Sequence, residues 1–253
     1  MIIQYHFEAS CDTEKIIAFK YAYAIYAWLL EQLPKEVGDA FHATGETPIT
    51  QAIWYCSPKE KNIWAVNLLS GDTAELLEDF LDQVPKIELH TLSINLTLLE
   101  KRKFETPEQF LQSVRSSRQE GNHIGLHCWT PTAFKQKGRY TIFPSIDLIL
   151  QSLIVKWNLC FPEYPLDDPD AIAMMKEKLM IVDYTLKTTR FPMKGAKIPG
   201  FYGNLIIESR LPEPLEDLWQ ILTAFSSYAG LGIKTTLGMG AVEKQNFKKI
   251  QRI

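Results

Sequence analysis

The stretch TQAIWYCSPKEKNIWAVNLLSGDTAELLEDFLDQVPKIELHTLSINLTLL, Thr50–Leu99, changes its hydrophobic pattern from element to element. Thr50–Cys56 and Asn62–Leu69 are short runs rich in β-branched and aromatic residues, which reads as two strands. Ser57-Pro58-Lys59-Glu60-Lys61 joins them as a polar turn. Asp72–Val84 then puts Leu76, Leu77, Phe80 and Leu81 on one side of a helix, and Ile87–Leu99 reads as one long closing strand. Upstream, Ile2–Glu8 alternates as a strand. Asp12 or Thr13 can cap a helix running to about Leu33, where Pro34 stops it. Ile17, Tyr21, Ala24 or Ile25 and Trp28 recur along it at helical spacing. The first hundred residues therefore spell βαββαβ, the split βαβ or ferredoxin-like unit.

The second half repeats that order without visible residue identity. His123–Trp129 reads as a strand, and Ser145–Leu159 as a helix with Ile146, Ile149, Leu150, Leu153 and Trp157 as its apolar stripe. Leu179–Leu186 and Phe201–Ser209 are strands, Leu215–Tyr228 is a helix, and a short strand at Met239–Val242 completes the unit. Thr106–Ser117 is an extra, linking helix. The expected fold is α+β, with two tandem ferredoxin-like (RRM-like) domains at residues 1–118 and 119–253; 253 residues are more than one typical domain needs.

With 46% hydrophobic and 23% charged residues, the composition excludes disorder, collagen and coiled coil as the dominant state. No apolar run approaches the ~20 residues of a membrane helix, and the first ten residues carry no secretory signal, so no membrane partner is expected. Cys11, Cys56, Cys128 and Cys160 contain no CxxC pair, which favours free thiols in a reducing cytoplasm over a disulfide framework or a zinc site. The net charge of −3 gives no global nucleic-acid signal, so such a role needs local basic patches. There are several: Lys101, Arg102 and Lys103; Arg115 and Arg118; Lys135, Lys137 and Arg139; and Lys187, Arg190, Lys194 and Lys197. Acids gather in the Asp72–Asp82 helix and in a loop with Asp167, Asp168 and Asp170. Ordinary solvated faces would look the same in one dimension.

Gly230-Leu231-Gly232-Ile233-Lys234-Thr235-Thr236-Leu237-Gly238-Met239-Gly240 directly follows a helix. It lacks the spacing of a Walker A loop, and it precedes a strand, which a dinucleotide fingerprint does not. Two readings stand: a helix cap with a tight turn, or a backbone cradle for phosphate with Lys234 adding charge. His6 and His90 fall in predicted strands. His123 and His127 share one strand face without further ligands at metal spacing, and Cys128 points the other way. His42, in Asp39-Ala40-Phe41-His42-Ala43-Thr44-Gly45, reads as an imidazole on a loop between the first helix and the second strand, where acid–base chemistry is often found. No GxSxG, HExxH or kinase-like set occurs.

Thr130-Pro131-Thr132-Ala133-Phe134, Tyr140-Thr141-Ile142-Phe143-Pro144-Ser145 and a helix ending Lys156-Trp157-Asn158 together resemble the central signature of the CRISPR repeat-processing endoribonucleases of the RAMP superfamily. Gly200-Phe201-Tyr202-Gly203-Asn204 resembles their next block, Gly230–Gly240 their C-terminal glycine-rich loop, and Phe41-His42 the position of their histidine after the first helix. The resemblance implies tandem ferredoxin-like domains and cleavage of CRISPR precursor RNA within repeats without metal or other cofactor. Attack by the ribose 2′-OH would leave a 2′,3′-cyclic phosphate (or 3′-phosphate) and a 5′-OH. It implies His42 as a proton-transfer group, with Tyr23 or Tyr26 from the first helix; both tyrosines could equally be core. The family's lysine shortly after the histidine is missing, since Thr44, Glu46, Thr47 and Pro48 stand there, and Lys20 or Lys59 are the substitutes at hand. Gly230, Gly232, Lys234, Thr235, Thr236, Gly238 and Gly240 would bind RNA, flanked by Lys135, Lys137, Arg139, Lys194 and Lys197. The implied partner is CRISPR repeat RNA. Other proteins of an effector complex are a further class, and the chain would act as monomer or homodimer. The alternative is a non-catalytic RAMP protein that binds guide RNA inside such a complex.

Overall fold

A computed structural model describes residues 1–246 apart from 14, 15, 45, 46, 119, 120 and 194, and leaves out the side chains of 39, 40, 42–44 and 246. The chain divides into two compact units. One is Met1–Glu105 with Lys234–Gly238; the other is Thr106–Ile233 with the residues from Met239 on.

The first unit is a five-stranded antiparallel sheet in the order β2-β3-β1-β5-β4. Its strands are β1 (Ile2–Ser10), β2 (Ile49–Cys56), β3 (Lys61–Leu68), β4 (Lys86–Leu89) and β5 (Leu92–Phe104). Without β4 this is the split βαβ order, the first strand lying between the third and the last. Central β1 is buried along most of its length, so it reads as a run rather than a clean alternation. Tyr5 stacks on Phe7 at 5.8 Å and Phe7 on Trp64 at 5.3 Å, forming the middle of the core. The expected strand Ile87–Leu99 is instead a tight hairpin. It folds back at His90-Thr91, which places His90 in a turn.

Helix α1 (Ala22–Leu30) is shorter than expected, preceded only by a 3-10 turn at Phe19–Tyr21. Among the described residues no helix starts at Asp12 or Thr13. Ile17 is fully buried, and its N–H donates to the Asn62 side chain at 2.8 Å, a tertiary bond that holds the segment out of the helix. Between Pro34 and β2, where a loop was expected, lies α2 (Lys35–Thr44). Pro34 ends one helix and starts the next: its carbonyl accepts from the N–H of Val37 at 3.0 Å and of Gly38 at 3.1 Å. Helix α3 (Gly71–Gln83) is capped by Ser70, whose hydroxyl accepts from the Thr73 N–H.

The second unit holds a four-stranded antiparallel sheet in the order β11-β6-β10-β9. These are β6 (His123–Thr132), β9 (Leu179–Met193), β10 (Ala196–Ser209) and β11 (Val242–Asn246), and again the first strand lies between the third and the last. Helices α4 (Pro107–Ser116), α5 (Ile146–Cys160), α6 (Pro169–Lys178) and α7 (Glu213–Ala229) accompany it, with a small ladder β7 (Phe134–Gln136) and β8 (Arg139–Thr141). Phe110, Trp157, Phe161 and Phe225 pack as one aromatic cluster, their ring centroids 4.5 to 6.4 Å apart. Three expectations change here. Asp167, Asp168 and Asp170 are not a plain acidic loop: Asp168 caps α6, accepting from the N–H groups of Asp170 and Ala171. Strands β9 and β10 run seven and five residues beyond their expected ends, because Pro192 and Pro199 are tolerated within the ladder, paired with Lys197 and Arg190. The last strand starts at Val242, where its pairing with Cys128 begins, rather than ending there. No helix among the described residues is long and apolar enough to cross a membrane.

Candidate functional site

Tyr23 and Tyr26 lie one turn apart on α1. Tyr23 is partly exposed. Tyr26 is buried, its hydroxyl 3.3 Å from Thr47 Oγ1, and burial raises its pKa above the ordinary phenol value, so it keeps its proton. His42 belongs to α2 rather than to a loop, and its side chain lies outside the described residues. Of the substitutes for the missing lysine, Lys20 sits 4.7 Å over the Tyr21 ring, and Lys59 is exposed in the turn Ser57–Lys59.

Gln51 carried no signal in the sequence, because one amide in a strand pattern is unremarked. In the structure it is 2% exposed and fully used. Its NH2 donates to the Ala22 carbonyl at 2.9 Å and the Thr236 carbonyl at 3.1 Å, and its oxygen accepts from Trp64 Nε1 at 3.2 Å. One buried side chain thus ties the start of the tyrosine helix to the glycine-rich loop.

In that loop, Gly230 caps α7. The N–H groups of Gly230, Leu231, Gly232, Ile233 and Gly240 donate to Ser226 O, Gly240 O, Ser152 Oγ, Ala133 O and Pro131 O. Close packing adds a second demand for glycine. A Cβ on Gly232 would stand 2.2 Å from Ala133 O, and one on Gly238 2.2 Å from Ala22 Cβ, both at positive φ. Between them Lys234 adopts φ 57°, ψ 35°, followed by a single 3-10 turn over Thr235–Leu237. Lys234 and Thr236 are partly exposed and Thr235 is buried.

The basic clusters separate once ion pairs are resolved. Lys101 bonds Glu78 and Asp82, Lys103 bonds Glu78 and Glu105, and Arg102 bonds Glu100, so that triplet is neutralised within its own unit. Arg118 is likewise held by Glu213 and Asp217. By contrast, Lys135, Lys137, Arg139, Lys187, Arg190 and Lys197 are exposed and have no acid partner among the described residues. Lys137 and Gly138, both at positive φ, make the two-residue connection between β7 and β8, which pushes Lys135, Lys137 and Arg139 out at one hairpin tip. Lys187, Arg190 and Lys197 line the distal half of the β9–β10 hairpin, while Lys194 lies outside the described residues.

His127 and Asn204 are register partners on β6 and β10, His127 Nδ1 standing 2.6 Å from Asn204 Oδ1; Trp129 packs edge-on against the imidazole at 4.1 Å. Among the described residues no three of His, Cys, Asp and Glu come close enough to hold a metal ion.

Lys156 is an unusual member of this unit. Its stem is partly exposed, but its ammonium is enclosed and donates to Ala229 O at 2.8 Å; burial pulls its pKa down to about 7. An unfolded lysine titrates near ~10.4, so between about 7 and that value the unfolded chain holds a proton the folded chain has lost. Stability from this group therefore rises with pH across that window and is lowest below it. Thermal melts should show the parent gaining on Lys156→Met as pH climbs from about 6 to about 9.5. A constant offset between the two would show that Lys156 does not titrate there.

Comparison with known proteins gives a consistent picture. The family model described as CRISPR-associated endoribonuclease Cas6 matches residues 126–242. The chain is 30% identical over 230 residues to a CRISPR-associated endoribonuclease Cas6 of Streptococcus thermophilus, covering 90% of this chain and 92% of that one. It is 24% identical over 224 residues to a Cas6 endoribonuclease of Mycobacterium tuberculosis, covering 87% and 70%. Among solved structures, a Cas6 product complex aligns at TM-score 0.75 and 18% identity over 97% of this chain and 100% of its own. A Thermus thermophilus Cas6 aligns at TM-score 0.71 and 19% identity over 97% and 98%. At such identities the structural likeness establishes the tandem ferredoxin-like fold.

Proposed function

The chain belongs to the family of CRISPR-associated endoribonucleases Cas6, and on that premise we propose that it cuts CRISPR precursor RNA within each repeat, with the substrate's own 2′-hydroxyl as nucleophile. The observation that carries the reading is the 30% identity, along nine-tenths of the chain, to a CRISPR-associated endoribonuclease Cas6. The two hairpins of uncompensated cations support it, since a polyanion needs a basic surface rather than a basic average.

In the reaction, a base takes the proton of the 2′-OH and the 2′-oxygen bonds to phosphorus. The bond from phosphorus to the 5′-oxygen breaks, and an acid protonates that oxygen. The products are a 2′,3′-cyclic phosphate, which water can open to a 3′-phosphate, and a 5′-OH. His42 is the proposed proton-transfer group, because an imidazole serves in either direction near neutral pH. Tyr23 and Tyr26 are the candidate second donors; the raised pKa of Tyr26 suits an acid or hydrogen-bond donor and not a base. Lys135, Lys137, Arg139, Lys194 and Lys197 are proposed to hold the RNA backbone, with Lys234, Thr235 and Thr236 of the glycine-rich loop at the phosphates; the N–H groups of Gly230, Gly232 and Gly240, expected to join them, donate within the protein instead. The proposed compartment is the cytoplasm: all four thiols are free, and burial pushes Cys128 and Cys160 up to about 12, where they stay protonated and inert.

Incubation with labelled RNA of the protein's own genomic repeat tests the reading directly. Tight binding without any cut would instead support the guide-RNA-binding alternative. A variant probes the loop. Glycine adopts the left-handed backbone of Lys234 without strain, so Lys234→Gly removes the charge and keeps the loop. Its affinity for repeat RNA should fall several-fold, and the slope of log affinity against log salt should shrink by about 0.7 to 1, the share of one phosphate contact. Unchanged affinity and slope, with an unchanged melting temperature, would remove Lys234 from the RNA surface.

A further inference from the structure

Helix α5 does more than cover the second sheet. Leu148 and Val155 on the helix and Ile233 of the glycine-rich loop form apolar walls of an open pocket of about 190 Å³. Three polar groups stand around it with unused capacity. Ser152 Oγ accepts from the Gly232 N–H at 2.8 Å, which leaves its own hydrogen to donate. The Gln151 amide and the Lys135 ammonium are exposed and have no protein partner among the described residues. Apolar walls with a few convergent polar groups are the usual make-up of a small-molecule site. Here the space admits one planar heterocycle, and a cation stands at its rim.

We propose that this pocket holds one unstacked adenine of the RNA, its ring between Val155 and Ile233 and its edge read by Gln151, with Lys135 on the adjoining phosphate. The proposal rests on the RNA-processing reading and names a contact within it. A planar amide offers a donor beside an acceptor, which matches the N7 acceptor and N6–H donor of adenine. The same edge of guanine presents two acceptors, O6 and N7, and would leave the amide oxygen facing an acceptor. A single-stranded base is available for such insertion, since sequence-specific RNA recognition works mostly on splayed, unstacked nucleotides. The bond from Gly232 to Ser152 fixes the loop against the pocket wall, so an inserted base would be held next to the loop proposed to meet phosphates.

The test is an abasic scan of the repeat RNA read by fluorescence anisotropy, on the parent protein, on Val155→Trp and on Gln151→Ala. Val155 is 52% exposed, so a tryptophan there fills the mouth of the pocket without entering the core. At one adenosine, removing the base should weaken parent binding about tenfold, the scale of one well-made bidentate contact. The same change should cost Val155→Trp less than about twofold, because the pocket is already filled. In Gln151→Ala, exchanging that adenosine for guanosine should lose most of its penalty. Should Val155→Trp fail to fold by circular dichroism, Gln151→Ala carries the comparison alone. Normal binding of intact RNA with no coupled position, or coupling only at a nucleotide other than adenosine, would overturn the pocket and leave the processing activity untouched. Failure of the parent to bind intact repeat RNA would overturn both.

Discussion

Repeat RNA with a single 2′-deoxyribose just upstream of the cut is expected to stay whole in the presence of this protein, under conditions where the all-ribose RNA is fully cut. The 2′-OH is covalently held beside the phosphorus it attacks. Well-placed intramolecular groups react with effective molarities of about 10⁵ M and above, so its loss should lower the rate by at least about that factor. Affinity should hardly change, because one hydroxyl is a small part of a complex held by many phosphate contacts. Both RNAs are compared by gel for cleavage and by mobility shift for binding, with excess chelator present. Cleavage of the deoxy RNA at the same bond would require another nucleophile. Loss of all cleavage on adding chelator would require a metal, and either result would overturn the mechanism.

Replacing His42 by alanine should slow cleavage by about 10²-fold or more, the usual contribution of a general acid or base, with RNA affinity within about twofold of the parent. The pH–rate profile gives a readout that a merely structural histidine would not move. The parent should show a limb due to the imidazole, and His42→Ala should lack it. Equal rates for parent and variant, or an unaltered profile on a slower rate, would take His42 out of proton transfer. Position alone makes the test worthwhile. His42 lies near the C-terminal end of α2, in the same unit as α1 with Tyr23 and Tyr26.

Much of the fold was legible because its strands and helices differ in period. In both units the pattern of two strands, a helix and a closing strand survives in the structure, down to the placing of the first strand between the third and the last. Punctuation was harder to read. Pro34 is as good a helix stop as a helix start, so the pattern alone does not reveal α2. Pro192 and Pro199 look like breakers, yet both pair across the β9–β10 hairpin. Helix α6 was hidden for a related reason, since three aspartates resemble a loop until one of them is seen capping a helix. The glycine-rich loop stood out by composition, but the partners of its N–H groups, Ser152, Ala133 and Pro131, come from distant segments.

What the amino-acid order determined by itself is local and periodic: the alternation of elements, the polar turn Ser57–Lys61, the apolar stripe of the helix from Ser145, and the family blocks from Thr130 to Gly240. What only the tertiary structure decided is which charges are free and which polar groups are spent. Lys101–Lys103 and Lys135–Arg139 are equally basic in one dimension. The first triplet meets Glu78 and Asp82 of a helix about twenty residues upstream, and the second meets no described acid. Gln51 becomes a link between α1 and the loop only when chain segments 185 residues apart are brought together. Coulomb and hydrogen-bond energies depend on separation in space and on exclusion of water, and neither is a property of neighbours in the sequence.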